Sequence, residues 1–210
     1  MGYWPLSARS CDRPTRRRAD PLIPLPDPAL DDGKVVLRPW GEPDDAVALA
    51  QAWSDPAIQA WAQVPEPRDE GAARRWIAGE AERRRRFLAL DLVVHRPAHP
   101  TEVIGEVGLA RFRPSAVRPG ESGRIAHADV GYWVHPDRRG EGIARHSVAL
   151  VCRWSLDTLG LDTIEAEIDP ANTASIKVAE AVGFRRDDRT RWALSSLESE
   201  PFDTAERPGR

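Results

Sequence analysis

The stretch that decides the fold is VGYWVHPDRRGEGIARHSVA, residues 130–149. Its first part reads as a β-strand and its last part as the start of an amphipathic helix. The first turn of a helix has backbone N–H groups without partners inside the helix, and the helix dipole adds positive potential there. Because Gly140 and Gly142 let a ligand approach the backbone closely, the passage predicts an anion site, with a plain tight turn as the competing interpretation.

The spacing of this turn differs from the two common phosphate-binding loops. The Walker pattern requires Lys followed by Ser or Thr after its second glycine, whereas this chain has Ile143 and Ala144 there. The dinucleotide pattern requires a third glycine, and Arg145 takes that place. Sites for ATP and for NAD are therefore disfavoured at this turn.

The composition is that of one ordinary globular domain. The chain has 210 residues, of which 41% are hydrophobic and 8 are tryptophan, and this supplies enough apolar surface for a single core. A net charge of -3 disfavours a protein that coats nucleic acid. The 2 cysteines lack metal-ligand spacing, so neither a disulfide framework nor a metal site is predicted. Without a signal peptide or an apolar run of membrane-spanning length, we expect a cytoplasmic protein.

Predicted strands and helices alternate along the chain. Asp44 and Asp45 are predicted to cap the first helix, which stops before Pro56. Three consecutive strands in the middle of the chain favour an antiparallel meander. The predicted strands cover residues 34–38, 87–94, 102–112, 125–134 and 163–169, with two more near 184 and 192–194, and the predicted helices cover 44–53, 69–86, 142–159 and 173–182.

The domain boundaries follow from the two ends of the chain. Residues 1–32 are rich in Pro and Arg and show no helical or alternating period. They are predicted to be an N-terminal extension that is disordered or draped over the surface. Residues 33–198 form the predicted domain, and residues 199–210 a tail.

Motifs in two segments, considered together, carry a family resemblance. The chain resembles the GNAT superfamily of N-acetyltransferases, and within it the Rim-type branch, which includes acetyltransferases of ribosomal-protein N-termini. The superfamily's cofactor motif is Arg or Gln, two residues, Gly, one residue, and Gly or Ala. The matching residues are Arg139, Gly142 and Ala144 in the turn, and Asn172, Ser175, Gly183 and Phe184 downstream.

The resemblance implies a fold and a cofactor. The fold is an α/β (α+β) arrangement in which helices flank a splayed, mixed and mainly antiparallel sheet, with an N-acetyltransferase domain at residues 33–198. The cofactor is acetyl-CoA, used as a co-substrate without a metal, and its pantetheine arm lies between two strands that separate. The residues expected to bind it are Trp133, Val134, Arg139, Gly140, Gly142, Ile143, Ala144 and Asn172.

The resemblance also points to a general base. Asp129 is the predicted base, because similar enzymes place a carboxylate on this strand, and alternation puts Asp129 on the same face as Gly131 and Trp133. An edge carboxylate paired with an arginine is the competing interpretation. Glu106 on the preceding strand is the rival base, and either carboxylate can act through a water.

The proton donor to the departing thiolate is unusual in this chain. Many superfamily members use a tyrosine at the place where this sequence has Ala179. Ser175 is therefore predicted to donate a hydrogen bond to the thiolate, and a capping role at a helix start is a compatible alternative. A thiol pKa of about 8.5 means that no strong acid is required.

The predicted reaction is direct attack by a primary amine, foremost a protein or peptide N-terminal α-amine. An α-amino group has a pKa of about 8, so a weak base suffices, whereas a lysine at about 10.4 demands a better one. One alternative acceptor is a small cationic amine, such as a polyamine or aminoglycoside, attracted by Glu66, Asp69 and Glu70. A catalytically idle acyl-CoA-binding regulatory domain is the other alternative. Apart from the acceptor, no membrane or nucleic-acid partner is expected, and the chain is a monomer or homodimer.

One departure from the branch concerns the start of the predicted helix. Thr-Glu-Ala commonly follows the cofactor motif in the Rim-type branch, and this chain has Arg145, His146 and Ser147 instead. His146 is a weaker candidate for a base than for a packed or solvated side chain. The acceptor pocket is therefore expected to differ from that of the branch.

Overall fold

The computed structural model describes residues 22–115 and 124–196. The predicted tail, the first part of the N-terminal extension and residues 116–123 lie outside the described residues. A 3-10 turn at Pro136–Arg138 precedes the fifth helix. The strands and helices of the described ranges are β1 Leu30–Asp31, β2 Val36–Pro39, α1 Asp45–Trp53, α2 Pro56–Trp61, α3 Glu70–Ala78, α4 Glu80–Arg85, β3 Ala89–His95, β4 Gly105–Pro114, β5 Ile125–Val134, α5 Ile143–Asp157, β6 Thr163–Glu167, α6 Thr173–Val182, β7 Arg185–Arg186 and β8 Arg191–Ser195.

The described strands form one sheet in the order β1-β2-β3-β4-β5-β6-β8-β7. β5 and β6 are parallel, whereas each other pair of neighbours is antiparallel. A parallel pair needs a crossover connection, and α5 supplies it. The parallel register ends where Asp129 lies opposite Glu165, and beyond this pair the two strands diverge. The predicted splayed, mixed and mainly antiparallel sheet flanked by helices is confirmed.

Apolar layers cover both faces of the sheet. The larger layer joins Leu92 and Val94 of β3 to Val148 and Val151 of α5. The smaller layer joins Val93, on the opposite face of β3, to the tryptophans near α1 and α3. Because both faces are covered, β3 is buried at consecutive positions instead of alternate ones, with Asp91 as a buried polar residue among Leu90, Leu92, Val93 and Val94.

The helices before β3 differ from the predicted ones in two places. An additional helix, α2, begins at Pro56, which was predicted to lie just beyond the end of a helix. The Asp55 side chain caps α2 by accepting the N–H groups of Ala57 and Ile58, and proline fits the first helical position because it has no N–H to lose. The predicted single helix over 69–86 is interrupted at Gly79, which ends α3 and caps α4.

Part of the N-terminal extension contacts the domain. Ile23 is 2% exposed and belongs to the larger apolar layer. Its N–H donates to the Arg84 carbonyl at 3.3 Å, and the Arg84 guanidinium donates back to the Ile23 carbonyl at 2.8 Å. Leu30 and Asp31 pair with β2 as an additional edge strand. The chain is therefore ordered against the sheet before the predicted domain begins.

The caps predicted for α1 have different roles in the structure. Asp44 takes the cap position but makes no side-chain cap hydrogen bond. Asp45 is fully buried, and its carboxylate binds Arg38 in a bidentate pair at 2.7 and 2.8 Å while accepting the N–H of Gly41 and of Glu42. Burial raises the pKa of Asp45, but these hydrogen bonds and the Arg38 charge outweigh it and lower the pKa. Asp45 therefore joins β2 to α1 instead of capping the helix.

The different roles of these adjacent carboxylates predict that the same substitution lowers the free energy of unfolding by very different amounts. We expect Asp45→Asn to cost about 3 kcal/mol at pH 7, because it leaves the Arg38 charge buried and unpaired. Asp44→Asn, the matched control, should change stability by less than about 0.5 kcal/mol. Since the folded-state pKa of Asp45 is lowered, its contribution is present above pH 4 or so and is lost as the pH falls further. Urea unfolding of both variants at pH 7 and at acidic pH measures this, and equal losses would refute it.

Candidate active site

A gap opens in the sheet where β5 and β6 diverge. Along β5 the side chains of Asp129, Gly131 and Trp133 share one face, as the sequence predicted, while Val130 and Tyr132 share the other. Trp133 packs against the smaller apolar layer and Tyr132 against the larger one. The backbone of β5 beyond Asp129 therefore forms one wall of the gap.

The turn at the end of this wall has the form of an anion site. Gly140 and Gly142 have φ of +83° and +77°, values that side-chain-bearing residues rarely adopt. Gly142 caps α5 without any side-chain hydrogen bond, so the N–H groups of the first turn are not covered by a capping side chain. A Cβ built on Gly140 would meet no atom within 4 Å. Residues 139–144, here the cofactor turn, fit the approach of a phosphate group.

Carboxylates of the surrounding elements bind the arginines at the cofactor turn. The Arg139 Nε donates to the Val134 carbonyl at 3.2 Å, and its Nη2 lies 3.5 Å from an Asp55 carboxylate oxygen. Arg138 pairs with Glu102 at 2.5 Å. Sequence reasoning missed Asp55, although an aspartate before a proline is a usual helix-start signal. Asp55 therefore connects the cap of α2 to the predicted phosphate-binding arginine.

The other predicted cofactor segment lies at the start of α6. Asn172 caps this helix, and its side-chain oxygen accepts the Ser175 N–H at 3.1 Å. The Tyr132 hydroxyl donates to the Ser175 carbonyl at 3.5 Å, so the first turn of α6 lies beside β5. The side-chain cap of α6 is therefore Asn172, while Ser175 lies within the first turn of the helix, on the side of β5.

Asp129, the predicted base, lies in an ion-pair cluster. Its carboxylate accepts from the Arg111 Nε at 2.5 Å and pairs with Arg113 at 2.7 Å. Arg113 also lies 3.2 Å from Glu165, the residue opposite Asp129 on β6. The competing interpretation of Asp129, a carboxylate paired with arginine, describes its surroundings. Ion pairs with two guanidinium groups therefore already engage the Asp129 carboxylate.

Glu106 has the opposite electrostatic surroundings. It lies opposite Trp133 in the β4–β5 register and therefore on the same face as the predicted base. Burial, with a further contribution from the nearby Asp91 charge, raises the pKa of Glu106 to about 8, although Arg83 and a hydrogen bond from Trp133 oppose the shift. Arg83 is itself bound to Asp91 at 3.0 Å. A carboxyl group of this kind exchanges protons near neutral pH.

The remaining titratable candidates do not form a second centre. Cys152 is buried in the larger apolar layer, and burial raises its pKa, so its thiol stays protonated. Within the described residues, no group of His, Cys, Asp or Glu side chains has an arrangement suited to a metal ion. No helix in the same ranges is long and apolar enough to cross a membrane.

Known proteins share this fold. The structure of Mycobacterium smegmatis RimJ in complex with CoA-disulfide is 24% identical, with a TM-score of 0.64, and the match covers 78% of this chain and 83% of that one. The ribosomal-protein-S5-alanine acetyltransferase of Vibrio fischeri is 19% identical, with a TM-score of 0.66 and coverages of 82% and 99%. Both likenesses show the fold predicted from the resemblance.

Sequence relatives point to the same family. An uncharacterized N-acetyltransferase of Bacillus licheniformis, p20, is 28% identical over 73% of this chain and 80% of its own length. A mycothiol acetyltransferase of Thermobispora bispora is 30% identical over 87% of this chain and 55% of its own length. The chain thus spans about half the length of that relative.

A family model identifies the domain. The model described as an acetyltransferase (GNAT) domain matches residues 34–185, which is more than half of the chain. This range includes β2, the gap between β5 and β6, the cofactor turn and the start of α6. The chain therefore belongs to the GNAT family, and it is an acetyl-CoA-dependent N-acetyltransferase.

Proposed function

We propose that this enzyme acetylates a protein or peptide N-terminal α-amine by direct attack on acetyl-CoA. The observation that carries the proposal is the place of Glu106, opposite Trp133 on the strand that lines the gap, where burial raises the pKa of its carboxyl group. A carboxyl group with a raised pKa can accept a proton from an α-ammonium group, whose pKa is about 8. A lysine ammonium, with a pKa of about 10.4, gives up its proton less readily.

The cofactor turn and its neighbours supply the proposed binding site for acetyl-CoA. The N–H groups at the start of α5 and the Arg139 guanidinium bind the pyrophosphate, and Arg138 adds positive charge. Backbone groups of Trp133 and Val134 bind the pantetheine arm. When bound, acetyl-CoA supplies an acetyl group activated as a thioester. The remaining proposed contacts are Gly140, Gly142, Ile143, Ala144 and Asn172.

The protein groups divide the chemistry among them. Glu106 accepts the proton of the amine, directly or through a water, and an N–H group of β5 near Trp133 stabilises the negative charge on the carbonyl oxygen. The Ser175 hydroxyl donates a hydrogen bond to the departing thiolate. Asp129 remains the alternative base. Because the thiol of Cys152 is buried and protonated, an acyl-enzyme on this cysteine is not part of the proposal.

A small-molecule acceptor is the second candidate, favoured by the likeness to a mycothiol acetyltransferase. If the acceptor is a small cationic amine, the carboxylates that were predicted to attract it add little to its binding. Glu66 pairs with Arg68, Glu70 pairs with Arg74, and Asp69 caps α3 by accepting the Ala72 N–H. These carboxylates already have partners, which weakens their attraction for a polyamine. A domain that binds acyl-CoA without turnover would be the third outcome of an acceptor test.

The acceptor test is a competition among classes of amine. We expect the purified enzyme to release CoA fastest with short peptides that have a free N-terminus, and about tenfold more slowly or worse with peptides whose only amine is a lysine, because of the Glu106 pKa. N-terminally acetylated versions of the same peptides are the matched controls. Greater kcat/KM for polyamines, aminoglycosides or the acceptor of a mycothiol acetyltransferase at equal concentration would assign the small-molecule function. Tight CoA binding with no release above the amine-free blank would assign the idle domain.

Substitution of the two carboxylates identifies the base. We expect Glu106→Gln to lower kcat by about a hundredfold and to remove the part of the activity rise between pH 7 and 9 that comes from ionisation of the base, so that only the titration of the α-amine remains. Asp129→Asn should lower kcat by less than about fivefold, because the Asp129 carboxylate is already engaged in ion pairs with Arg111 and Arg113. Rates are measured across pH with one α-amine peptide. The profile of Glu106→Gln then gives the titration of the α-amine by itself. The reverse ranking of the two variants would make Asp129 the base.

Binding of CoA tests the cofactor turn separately from the chemistry. We expect Arg139→Gln to raise the Kd of CoA by about tenfold, because a charge-assisted contact to phosphate is lost. Arg153→Gln is the matched control. Arg153 lies in α5, about three helical turns beyond the cofactor turn, so this variant should bind CoA like the unmodified protein. Calorimetry with CoA alone gives both constants. Unchanged affinity in Arg139→Gln would remove this arginine from the site.

A further inference from the structure

His146, one turn into α5, is held on both of its ring nitrogens. The residue is 8% exposed. Its Nδ1 lies 2.6 Å from the Asp32 Oδ2, and its Nε2 lies 3.3 Å from the Arg145 Nη2. The sequence had singled out Arg145 and His146 as a departure from the Rim-type branch, and the reaction proposed above uses neither side chain as acid or base. The three residues form a chain that runs from the segment before β2 to the start of α5.

The hydrogen-bond partners of the two ring nitrogens determine which tautomer the imidazole adopts. Arginine has only donors, so the Nε2 of His146 accepts the hydrogen bond from Arg145. The Nδ1 therefore carries the ring N–H and donates a hydrogen bond to the Asp32 carboxylate. Burial raises the pKa of Asp32, but hydrogen bonds from the N–H groups of Val35 and Lys34, together with the His146 contact, outweigh it and lower the pKa. Asp32 thus accepts from the Nδ1–H of His146, and the Nε2 of the same ring accepts from Arg145.

This chain of contacts ends at the cofactor turn. A Cβ built on Gly142 would lie 3.9 Å from the His146 Nε2, the atom that accepts from Arg145. The imidazole that contacts the Arg145 guanidinium therefore lies beside Gly142, the glycine at which α5 begins. An arginine side chain free to rotate would lose much of its conformational entropy on binding a phosphate, and a side chain already held loses less.

A second contact joins the same two segments. Arg96, just after β3, donates to the Lys34 carbonyl at 3.2 Å and to the Glu141 carboxylate at 2.5 Å. Residues 31–35, here the β1–β2 hairpin turn, are thus connected to the cofactor turn through Arg96 as well as through His146. The β1–β2 hairpin turn is therefore connected to the cofactor turn at Glu141 and to the first turn of α5 at His146.

We propose that Asp32 and His146 are positioning residues that hold the Arg145 guanidinium toward the phosphates of acetyl-CoA. The proposal rests on the proposed place of the pyrophosphate at the cofactor turn. His146 acts through Arg145 and takes no proton from the acceptor. A competing structural role, in which the pair only fastens the hairpin turn to α5, would change stability without acting through Arg145.

A double-mutant cycle separates the two roles. We expect Arg145→Gln and His146→Ala each to raise the Kd of CoA by about five- to tenfold, and the double variant to bind no worse than Arg145→Gln alone within about twofold. The KM for acetyl-CoA should follow the Kd, while kcat at saturating acetyl-CoA stays within about twofold. Asp32→Asn should show the same separation of KM from kcat. Arg153→Gln is the matched control.

The opposing outcomes are equally specific. If the two single effects multiply in the double variant, or if His146→Ala leaves the Kd of CoA unchanged, the positioning role is refuted. His146→Gln, which keeps a polar group at this place, serves if His146→Ala does not fold. If Arg139→Gln weakens CoA binding while the Asp32 and His146 variants do not, this inference fails and the proposed cofactor site stands. If no variant of the turn alters CoA binding, the proposed site itself fails.

A spectroscopic measurement tests the arrangement without any cofactor. Nitrogen-15 NMR of the histidine rings should show His146 as the neutral tautomer with its proton on Nδ1 at neutral pH, because Asp32 accepts that proton and Arg145 donates to Nε2. Asp32→Asn should shift the population toward the other tautomer or toward exchange between the two. A protonated His146, or a proton on Nε2 in the unmodified protein, would overturn the proposed chain of contacts.

Discussion

The parallel pairing between β5 and β6 stops at Asp129 and Glu165, and the other features of the site depend on where it stops. A continued ladder would pair the backbone of β5 with β6, whereas the divergence leaves that backbone lining a gap. The Tyr132 hydroxyl, bound to the Ser175 carbonyl, brings the first turn of α6 beside β5. The gap consequently has a strand on one side, a helix start near it, and the cofactor turn at its end.

Two carboxylates on one face of the sheet show how surroundings assign chemical roles. Asp129 is held by two arginines, whose guanidinium groups engage its carboxylate. Glu106, opposite Trp133, loses hydration and lies near the Asp91 charge, so its ionised form is destabilised. The residue type is similar and the sheet face is the same. Burial and neighbouring charge make Glu106 the more suitable acceptor of a proton near neutral pH.

The charged side chains around the cofactor turn connect it to distant parts of the chain. Asp55 connects Arg139 to the cap of α2, and Arg96 connects Glu141 to the β1–β2 hairpin turn. Asp45 joins β2 to α1 on the other side of the sheet. The contacts of Asp55 and Arg96 span elements that are separated in sequence, so they connect the cofactor turn to the rest of the fold.

The sequence by itself determined the family and the sheet type and predicted the cofactor turn, because these depend on local signals: a strand running into a helix through Gly140 and Gly142, and the motif residues Asn172 and Ser175 at the start of a second helix. It also put Asp129 on the correct face, since alternation is a local property of a strand. Only the tertiary structure decided that Arg111 and Arg113 bind Asp129, that Glu106 has a raised pKa, and that Asp32 reaches His146. Those outcomes depend on distances and burial between residues far apart in the chain, which no local pattern encodes.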